Sequence, residues 1–275
     1  MTARIGMVNY INTAPIYEIW KERALPADWE MIEGQPSHLN RLLAEDQIDM
    51  GFVSSYAYAI QPEKYQILAD LSISASGPVG SVILFSDLPP DALDGQPVLL
   101  TRQSDTSIRL VQIILEEFYR VKPCYTVGTV SGAHAKNLGA RAVLAIGDDA
   151  LRLTKEQEYR LQLDLGEIWH QHTGLPFVFS VCAVREEFLA QQPDTARAIR
   201  QTLVDCREQG ARRMMEICER VARRIPRDCE ACSRYLLGIE HDLSPLKIRA
   251  LERYFQYLVK RGEAPAGALP LKIFQ

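Results

Sequence analysis

The chain has 275 residues, of which 47% are hydrophobic and 24% are charged, so it is large enough to fold into two lobes. Its formal net charge of -4 supplies no basic surface and argues against nucleic acid as a partner. No apolar run reaches the roughly 18 residues of a membrane helix, and the first residues lack the pattern of a signal peptide. We therefore expect a cytoplasmic protein that binds a small molecule and does not insert into a membrane.

The N-terminal part alternates between strand and helix patterns. Its apolar spacing predicts a strand at 4–10, a helix at 14–24, a strand at 29–34, a helix at 37–46 capped by Ser37, and a strand at 48–55. A β-α-β-α-β order implies a parallel sheet whose ligand crevice lies at the carboxyl ends of the strands.

A second series of the same kind follows. Its predicted elements are a strand at 97–101, a helix at 107–119, a strand at 124–130, a helix at 133–140 and a strand at 142–147. Strand-like segments at 80–86 and 177–184 are placed to pass from one lobe to the other. From about Arg185 onward the chain has the apolar spacing of helices that would pack on the first lobe.

These patterns predict an α/β protein with the two-lobed fold of type II periplasmic binding proteins and a ligand cleft between the lobes. We expect residues 1–84 to form the first part of lobe 1, residues 85–176 to form lobe 2, and residues 177–275 to complete lobe 1 as a mostly helical C-terminal segment.

Polar residues stand at the end of the first strand, where the apolar pattern breaks. Tyr10, Asn12 and Thr13 come just before Pro15, which suits the first turn of a helix. Thr13 is a suitable N-cap, and capping alone would account for it. One cap does not need two polar residues, so we expect Tyr10, Asn12 and Thr13 to bind a ligand in the cleft.

Two other predicted helix starts are rich in hydroxyl groups. One contains Ser54 and Ser55, and the other contains Ser104, Asp105, Thr106 and Ser107. The unpaired N–H groups and the dipole of a helix start favour anions, although either motif alone fits simple capping. With one such start in each lobe, a dicarboxylate could be held at both ends.

Further site residues are expected near the crossovers. Ser81 follows Gly80, where a glycine lets the backbone approach a ligand closely. Asp148 and its neighbour Asp149 stand at the start of a predicted helix. They could cap this helix, or one of them could orient a ligand hydroxyl. A cleft wall is predicted from Thr173, Pro176 and Phe177.

The histidine and cysteine residues do not predict a metal site. His170 and His172 lack a third ligand, although His172 is a minor acid or base candidate. Four of the six cysteines, Cys206, Cys218, Cys229 and Cys232, fall in the C-terminal third and include one C-x-x-C pair with no partner pair. We expect reduced, partly buried thiols.

Five segments together resemble the chorismate dehydratase family of the futalosine route to menaquinone. They are "RIGMVNYINTAPIY", "IDMGFVSSYAYA", "LADLSISASGPVGSVILFS", "SDTSIRLVQIIL" and "TGLPFVFSVCAVR", in the family's order. The chain departs from the family at Asn9 and Ile11, where Ser and Leu are expected, and in its cysteine-rich helical tail.

The resemblance implies a hydro-lyase that converts chorismate to 3-[(1-carboxyvinyl)oxy]benzoate and water. The segments that carry it contain no histidine or glutamate at a strand end, so the sequence offers no obvious base. We therefore expect substrate assistance, in which the enolpyruvyl carboxylate takes the proton while Asn12 and Ser81 act as the catalytic residues that hold it. No cofactor is expected, because neither a dinucleotide fingerprint nor a Walker loop is present.

Three alternatives remain open at this point. The first is 1,4-dihydroxy-6-naphthoate synthase of the same pathway, and the second is a solute-binding protein without catalytic activity. The third is an intracellular sensor lobe, although no residues are left over for a signalling domain. The sequence leaves a homodimer open.

Overall fold

Two β-sheets organise the computed structural model, which describes residues 2–130, 138–156, 158–224 and 228–275. The strands are β1 Ala3–Val8, β2 Trp29–Gly34, β3 Met50–Ser54, β4 Tyr65–Ala75, β5 Val82–Ser86, β6 Pro97–Thr101, β7 Cys124–Gly128, β8 Ala142–Ile146, β9 Leu161–Asp164, β10 Phe177–Arg185 and β11 Ile273–Phe274. The helix predicted at 133–140 falls mostly on residues 131–137, which lie outside the described residues.

Helices cover both sheets. They are α1 Ala14–Glu22, α2 Pro36–Ala44, α3 Ser55–Ile60, α4 Asp105–Ile113, α5 Gly147–Glu156, α6 Leu165–Thr173, α7 Glu186–Gln191, α8 Pro193–Arg212, α9 Met214–Val221, α10 Cys229–Leu237 and α11 Pro245–Lys260. A π-helical turn, Ile114–Phe118, continues α4. Within the described residues, no helix combines the length and apolarity needed to cross a bilayer.

The first sheet has the strand order β11-β4-β10-β3-β1-β2, and the second has the order β7-β6-β8-β5-β9. As predicted, β1 pairs in parallel with β2 and β3, and β6 pairs in parallel with β7 and β8. The first sheet takes its strands from residues 3–75 and 177–274, and the second takes them from residues 82–164. We call the first sheet with its helices the first lobe, and the second sheet with its helices the second lobe.

The two strands predicted to pass between the lobes do not do so. β5 lies antiparallel between β8 and β9 of the second sheet, and β10 lies antiparallel between β3 and β4 of the first sheet. Pairing on both edges keeps each strand inside one sheet. The chain instead crosses between the sheets through residues 76–81 and, on its return, through α6 and the residues that follow it.

Local sequence explains where the first two helices begin. Pro15 and Pro36 each stand in a first turn, where a missing N–H costs little. Gln35 occupies the cap position of α2, so the prediction that Ser37 caps this helix is wrong. Ser37 lies inside the helix because Pro36, with its fixed φ, already starts the turn.

The C-terminal helices pack on the first lobe and also reach the second. In α8, Gly210 lies so close to α1 that an added Cβ would come within 1.7 Å of the Pro15 carbonyl oxygen. At the end of α11, Lys260 pairs with Glu117 at 2.8 Å and Arg261 with Glu116 at 2.9 Å. The C-terminal segment therefore connects the two lobes.

Candidate active site between the lobes

A cavity that is partly open to solvent lies between the two lobes, and the space between its walls, solvent included, amounts to about 500 Å³. Its walls combine hydroxyl, amide and apolar groups from Val8, Tyr10, Asn12, Pro36, Ser54, Ile73, Val79, Ser81, Val82, Ser104, Ser107, Ile146, Gly147, Phe179 and Ser180. Strand ends of both sheets contribute to it, as is usual for the ligand crevice of an open α/β sheet. Among the lining residues that the structure describes, Tyr10 alone has an ionisable side chain, and burial raises its pKa well above the ordinary value.

The structure brings six of the predicted site residues together in this cavity. They are Tyr10, Asn12, Ser54, Ser81, Ser104 and Ser107. The first three come from the first lobe, Ser81 comes from the crossover, and the last two come from the start of α4. The polar groups therefore converge from different parts of the chain on one space.

Three predicted hydroxyl groups are turned away from the cavity. Thr13 stands at the cap position of α1 but donates backward to the carbonyls of Val8 and Tyr10, at 2.7 and 2.9 Å. Ser55 donates to the Val178 carbonyl at 2.7 Å, and the Thr106 hydroxyl accepts from the Tyr56 N–H at 3.0 Å. Each is buried and satisfied by the main chain.

The predicted cleft wall at Thr173, Pro176 and Phe177 also lies outside the cavity. Thr173 donates to the Trp169 carbonyl, the Pro176 carbonyl accepts from the Trp169 indole, and the Phe177 ring packs on Trp169 at 5.1 Å. The wall on this strand is formed instead by Phe179 and Ser180, which the sequence analysis did not select. The signal available in the sequence was Ser180, a serine inside the otherwise apolar strand β10.

Neighbouring side chains orient the hydroxyls of the cavity. Asn40 binds Ser54 twice, by donating to its hydroxyl at 3.0 Å and by accepting from its N–H at 2.9 Å. Ser104 caps α4, because its hydroxyl accepts from the Ser107 N–H at 3.3 Å. The positive end of the α4 dipole therefore faces the cavity beside two hydroxyl groups.

Residues 79–81 form a tightly held loop at the crossover. Gly80 has a φ of +71°, and the Asp164 carboxylate accepts from the N–H groups of Val79 and Gly80 at 3.0 and 2.6 Å. The Ser81 carbonyl accepts from the Gly147 N–H at 2.7 Å. Ser81 is thus fixed through its own main chain and that of its neighbours.

A buried histidine supports Asn12. The Nε2 atom of His241 lies 2.6 Å from the Asn12 carbonyl oxygen, and because a carbonyl can only accept, Nε2 carries the proton. Burial lowers the pKa of His241 to about 4, so the ring is neutral at physiological pH. The Asn12 Oδ1 atom is buried and has no hydrogen-bond partner within the described residues.

A second, more polar space adjoins the cavity, and we call it the side chamber. The space between its walls, part of it open solvent, amounts to about 430 Å³. The chamber shares Tyr10 with the cavity and is lined also by Asn9, Gln35, Gln103, Asp148 and Asp149. Asp148 therefore lies beside the cavity, in the first turn of α5, and burial raises the pKa of its carboxyl. Asp149 accepts from the Gln103 amide at 3.1 Å.

Several hydrogen bonds join the lobes across the cleft. The Tyr10 hydroxyl donates to the Gln103 side chain at 2.7 Å, and the Gln103 carbonyl accepts from the Ser37 N–H at 3.2 Å. Asn40 donates to Asp105 at 3.0 Å. The lobes are therefore closed on each other in this structure.

The histidine and cysteine candidates lie elsewhere. His172 stacks on Phe118 at 4.5 Å, and the His170 Nδ1 atom lies 3.2 Å from the Leu175 carbonyl oxygen. In the parts of the chain that the structure describes, no three His, Cys, Asp or Glu residues are grouped as metal ligands. The six cysteines are free thiols, and none lines the cavity.

Comparison with known proteins places this chain in a family. A family model described as menaquinone biosynthesis matches residues 3–260. A chorismate dehydratase of Thermus thermophilus is 31% identical over 238 residues, covering 80% of this chain and 82% of the relative. A chorismate dehydratase of Campylobacter jejuni is 31% identical over 179 residues, covering 64% of each chain.

Solved structures confirm the predicted fold. The periplasmic aliphatic sulphonate binding protein of Escherichia coli matches with a TM-score of 0.71 at 12% identity, covering 100% of this chain and 92% of that chain. A protein from Archaeoglobus fulgidus matches with a TM-score of 0.69 at 17% identity, covering 95% and 98% of the two chains. At these identities the likeness concerns the fold alone.

Proposed function

We propose, since the chain belongs to the menaquinone biosynthesis family, that it is a chorismate dehydratase. Such a hydro-lyase removes one water from chorismate and gives 3-[(1-carboxyvinyl)oxy]benzoate. The observation that carries the proposal for this site is the make-up of the cavity: hydroxyl and amide groups converge from both lobes, and none of the described residues that line it is a carboxylate, histidine, lysine or arginine.

This composition suits a dicarboxylate that brings its own charge. Chorismate carries one carboxylate on its ring and a second on its enolpyruvyl group. The start of α4, with Ser104 and Ser107, offers hydroxyl donors and the positive end of a helix dipole to one of them. Ser54 offers a further hydroxyl from the first lobe.

The reaction is a stepwise elimination. Loss of the ring proton on the carbon that carries the enolpyruvyl ether leaves an extended dienolate, whose charge collects on the ring carboxylate. Departure of the neighbouring hydroxyl group as water then makes the ring aromatic. Donors near the ring carboxylate stabilise the charge that develops in the first step.

The base in this proposal is the substrate itself. Tyr10 is a poor candidate because burial keeps its phenol protonated, and its hydroxyl donates to Gln103. The enolpyruvyl carboxylate is held by Asn12 and Ser81 against the ring proton, which it accepts and can pass to the departing hydroxyl. Because the substrate carboxylate is held beside the ring proton, its effective concentration there is high, and the reaction does not need a base from the protein.

Incubation of the purified, metal-stripped protein with chorismate tests the proposal. Chromatography and mass spectrometry should show a product lighter than chorismate by one water, formed without added cofactor. Chorismate recovered intact, together with thermal stabilisation of the protein by chorismate, would identify a binding protein and overturn the proposal. No product and no stabilisation would show that chorismate is the wrong ligand.

A further inference from the structure

The C-terminal helix α10 places one tyrosine directly behind the crossover loop. The Tyr235 hydroxyl donates to the Ser81 Oγ at 2.9 Å. Its ring covers Gly80 so closely that an added Cβ there would lie 3.4 Å from the ring. Tyr235 is buried, and it does not belong to the cavity lining, whereas Ser81 does.

Ser81 is therefore held from two sides. The second lobe fixes its main chain through the Gly147 N–H, and Asp164 fixes the preceding Gly80 N–H. Tyr235 fixes the side chain, and it comes from the helical segment that packs on the first lobe. A serine in an ordinary strand does not need a third partner of this kind.

The direction of the Tyr235 hydrogen bond decides what Ser81 can do. A phenol, with an ordinary pKa of about 10, is a better donor than an aliphatic hydroxyl. When Tyr235 donates, one lone pair of the Ser81 oxygen is occupied and the Ser81 proton is left to be donated onward. Successive hydrogen bonds polarise each other, so the Ser81 hydroxyl becomes a stronger donor toward the cavity.

We propose that Tyr235 is a positioning residue that orients and polarises the Ser81 hydroxyl toward the substrate carboxylate. This inference rests on the proposed dehydratase function. It gives the cysteine-rich C-terminal segment, which had no role in the sequence analysis, a part in the chemistry. Tyr235 acts through Ser81 and does not itself touch the substrate.

A double-mutant cycle tests the proposal on the full chain. Tyr235→Phe keeps the ring over Gly80 and removes only the hydroxyl. We expect kcat to fall about tenfold, as for the loss of one hydrogen bond, with KM changed less than about twofold. In the Ser81→Ala background, the same substitution should change kcat less than about twofold, because its target is gone. Single-turnover mass spectrometry follows the slow variants.

Tyr65→Phe is the matched control. Tyr65 is also buried, donates to Gln61 at 3.0 Å and is not among the residues that line the cavity, so loss of its hydroxyl should leave kcat unchanged. The positioning role is overturned if Tyr235→Phe turns over like the wild type, if its full effect persists without Ser81, or if Ser81→Ala itself retains wild-type kcat. Absence of product with the wild-type protein would instead refute the proposed function.

Discussion

The cavity and the side chamber share Tyr10 as a wall but differ in charge. The cavity is lined by neutral hydroxyl, amide and apolar groups, whereas the chamber contains Asp148 and Asp149. A dianionic substrate is attracted to the first space and repelled by the second. For the proposed dehydratase, the comparison predicts that exclusion of acidic side chains, as much as the presence of donors, defines where chorismate binds.

The largest effect is expected from placing a carboxylate in the cavity, because this removes the difference in charge between the two spaces. Ser104→Asp keeps a good cap for α4 but adds a negative charge to the cavity wall. Repulsion at contact distance should weaken the affinity for chorismate by about 100-fold or more. Calorimetry measures this loss of affinity with the product, which is also a dicarboxylate, in place of chorismate. Ser104→Asn, a neutral cap of the same shape, should bind within about tenfold of the wild type, and equal affinities for the two variants would contradict the assignment.

Asn12 and Asn9 offer a matched pair for the two spaces. Asn12 lines the cavity, and Asn9 lines only the chamber. Asn12→Ala should lower kcat by about 100-fold while product affinity changes little, because a group that holds the reactive geometry is lost. Steady-state kinetics of Asn9→Ala supplies the control, for which we expect nearly wild-type turnover. Similar losses in both variants would show that the cavity has no special role.

The buried His241 behind the cavity should make stability depend on pH. Its pKa is about 4 in the folded protein against 6.5 as the ordinary value, since burial, Lys247 and Arg207 disfavour the charged ring more than the Asn12 carbonyl and Asp242 favour it. Between these values the unfolded chain binds a proton that the native protein does not, so stability falls as the pH drops. The loss from this group should reach about 3 kcal/mol below pH 4.

Denaturant unfolding at several pH values, compared with His241→Gln, isolates that contribution. Glutamine can still donate to the Asn12 carbonyl but does not titrate. The difference in unfolding free energy between the two proteins should therefore narrow or reverse as the pH falls through this range. A constant difference would show that the histidine is not held neutral by burial.

The smallest effect is expected in the side chamber. Asp148→Asn removes a carboxyl whose pKa is raised by burial, so the ionised form is disfavoured in the fold and the variant should be at least as stable at pH 7. We expect kcat/KM to change less than about threefold, because Asp148 does not line the cavity. Melting curves and initial rates measure both quantities. A large fall in kcat would identify Asp148 as a proton donor to the leaving hydroxyl.

Strand ends were the informative part of the sequence. Tyr10, Asn12 and Ser54 stand where the apolar patterns of β1 and β3 stop, and the parallel pairing of these strands brings such positions to one edge of the sheet. The sequence did not predict whether a hydroxyl group at such a strand end points into the cavity or away from it. Thr13 and Ser55 occupy equivalent positions, yet each finds a main-chain carbonyl nearby and turns inward.

The supporting residues could not be found from local pattern. Tyr235 and His241 reach Ser81 and Asn12 across separations of 154 and 229 residues. Nothing in the flanking sequence of either residue marks it as a neighbour of the cleft. Their contribution depends on how the C-terminal helices pack, which is a tertiary property.

The contacts of Gln103 bear on how a ligand enters and leaves the cavity. It accepts from the Tyr10 hydroxyl through its side chain and from the Ser37 N–H through its carbonyl, so two of the hydrogen bonds between the lobes meet at this residue. In the proposed function, chorismate enters when the contacts between the lobes open, and the product leaves by the same event. The catalytic cycle then alternates between an open form that exchanges with solvent and a closed form that reacts, with the opening rate as an upper limit on turnover.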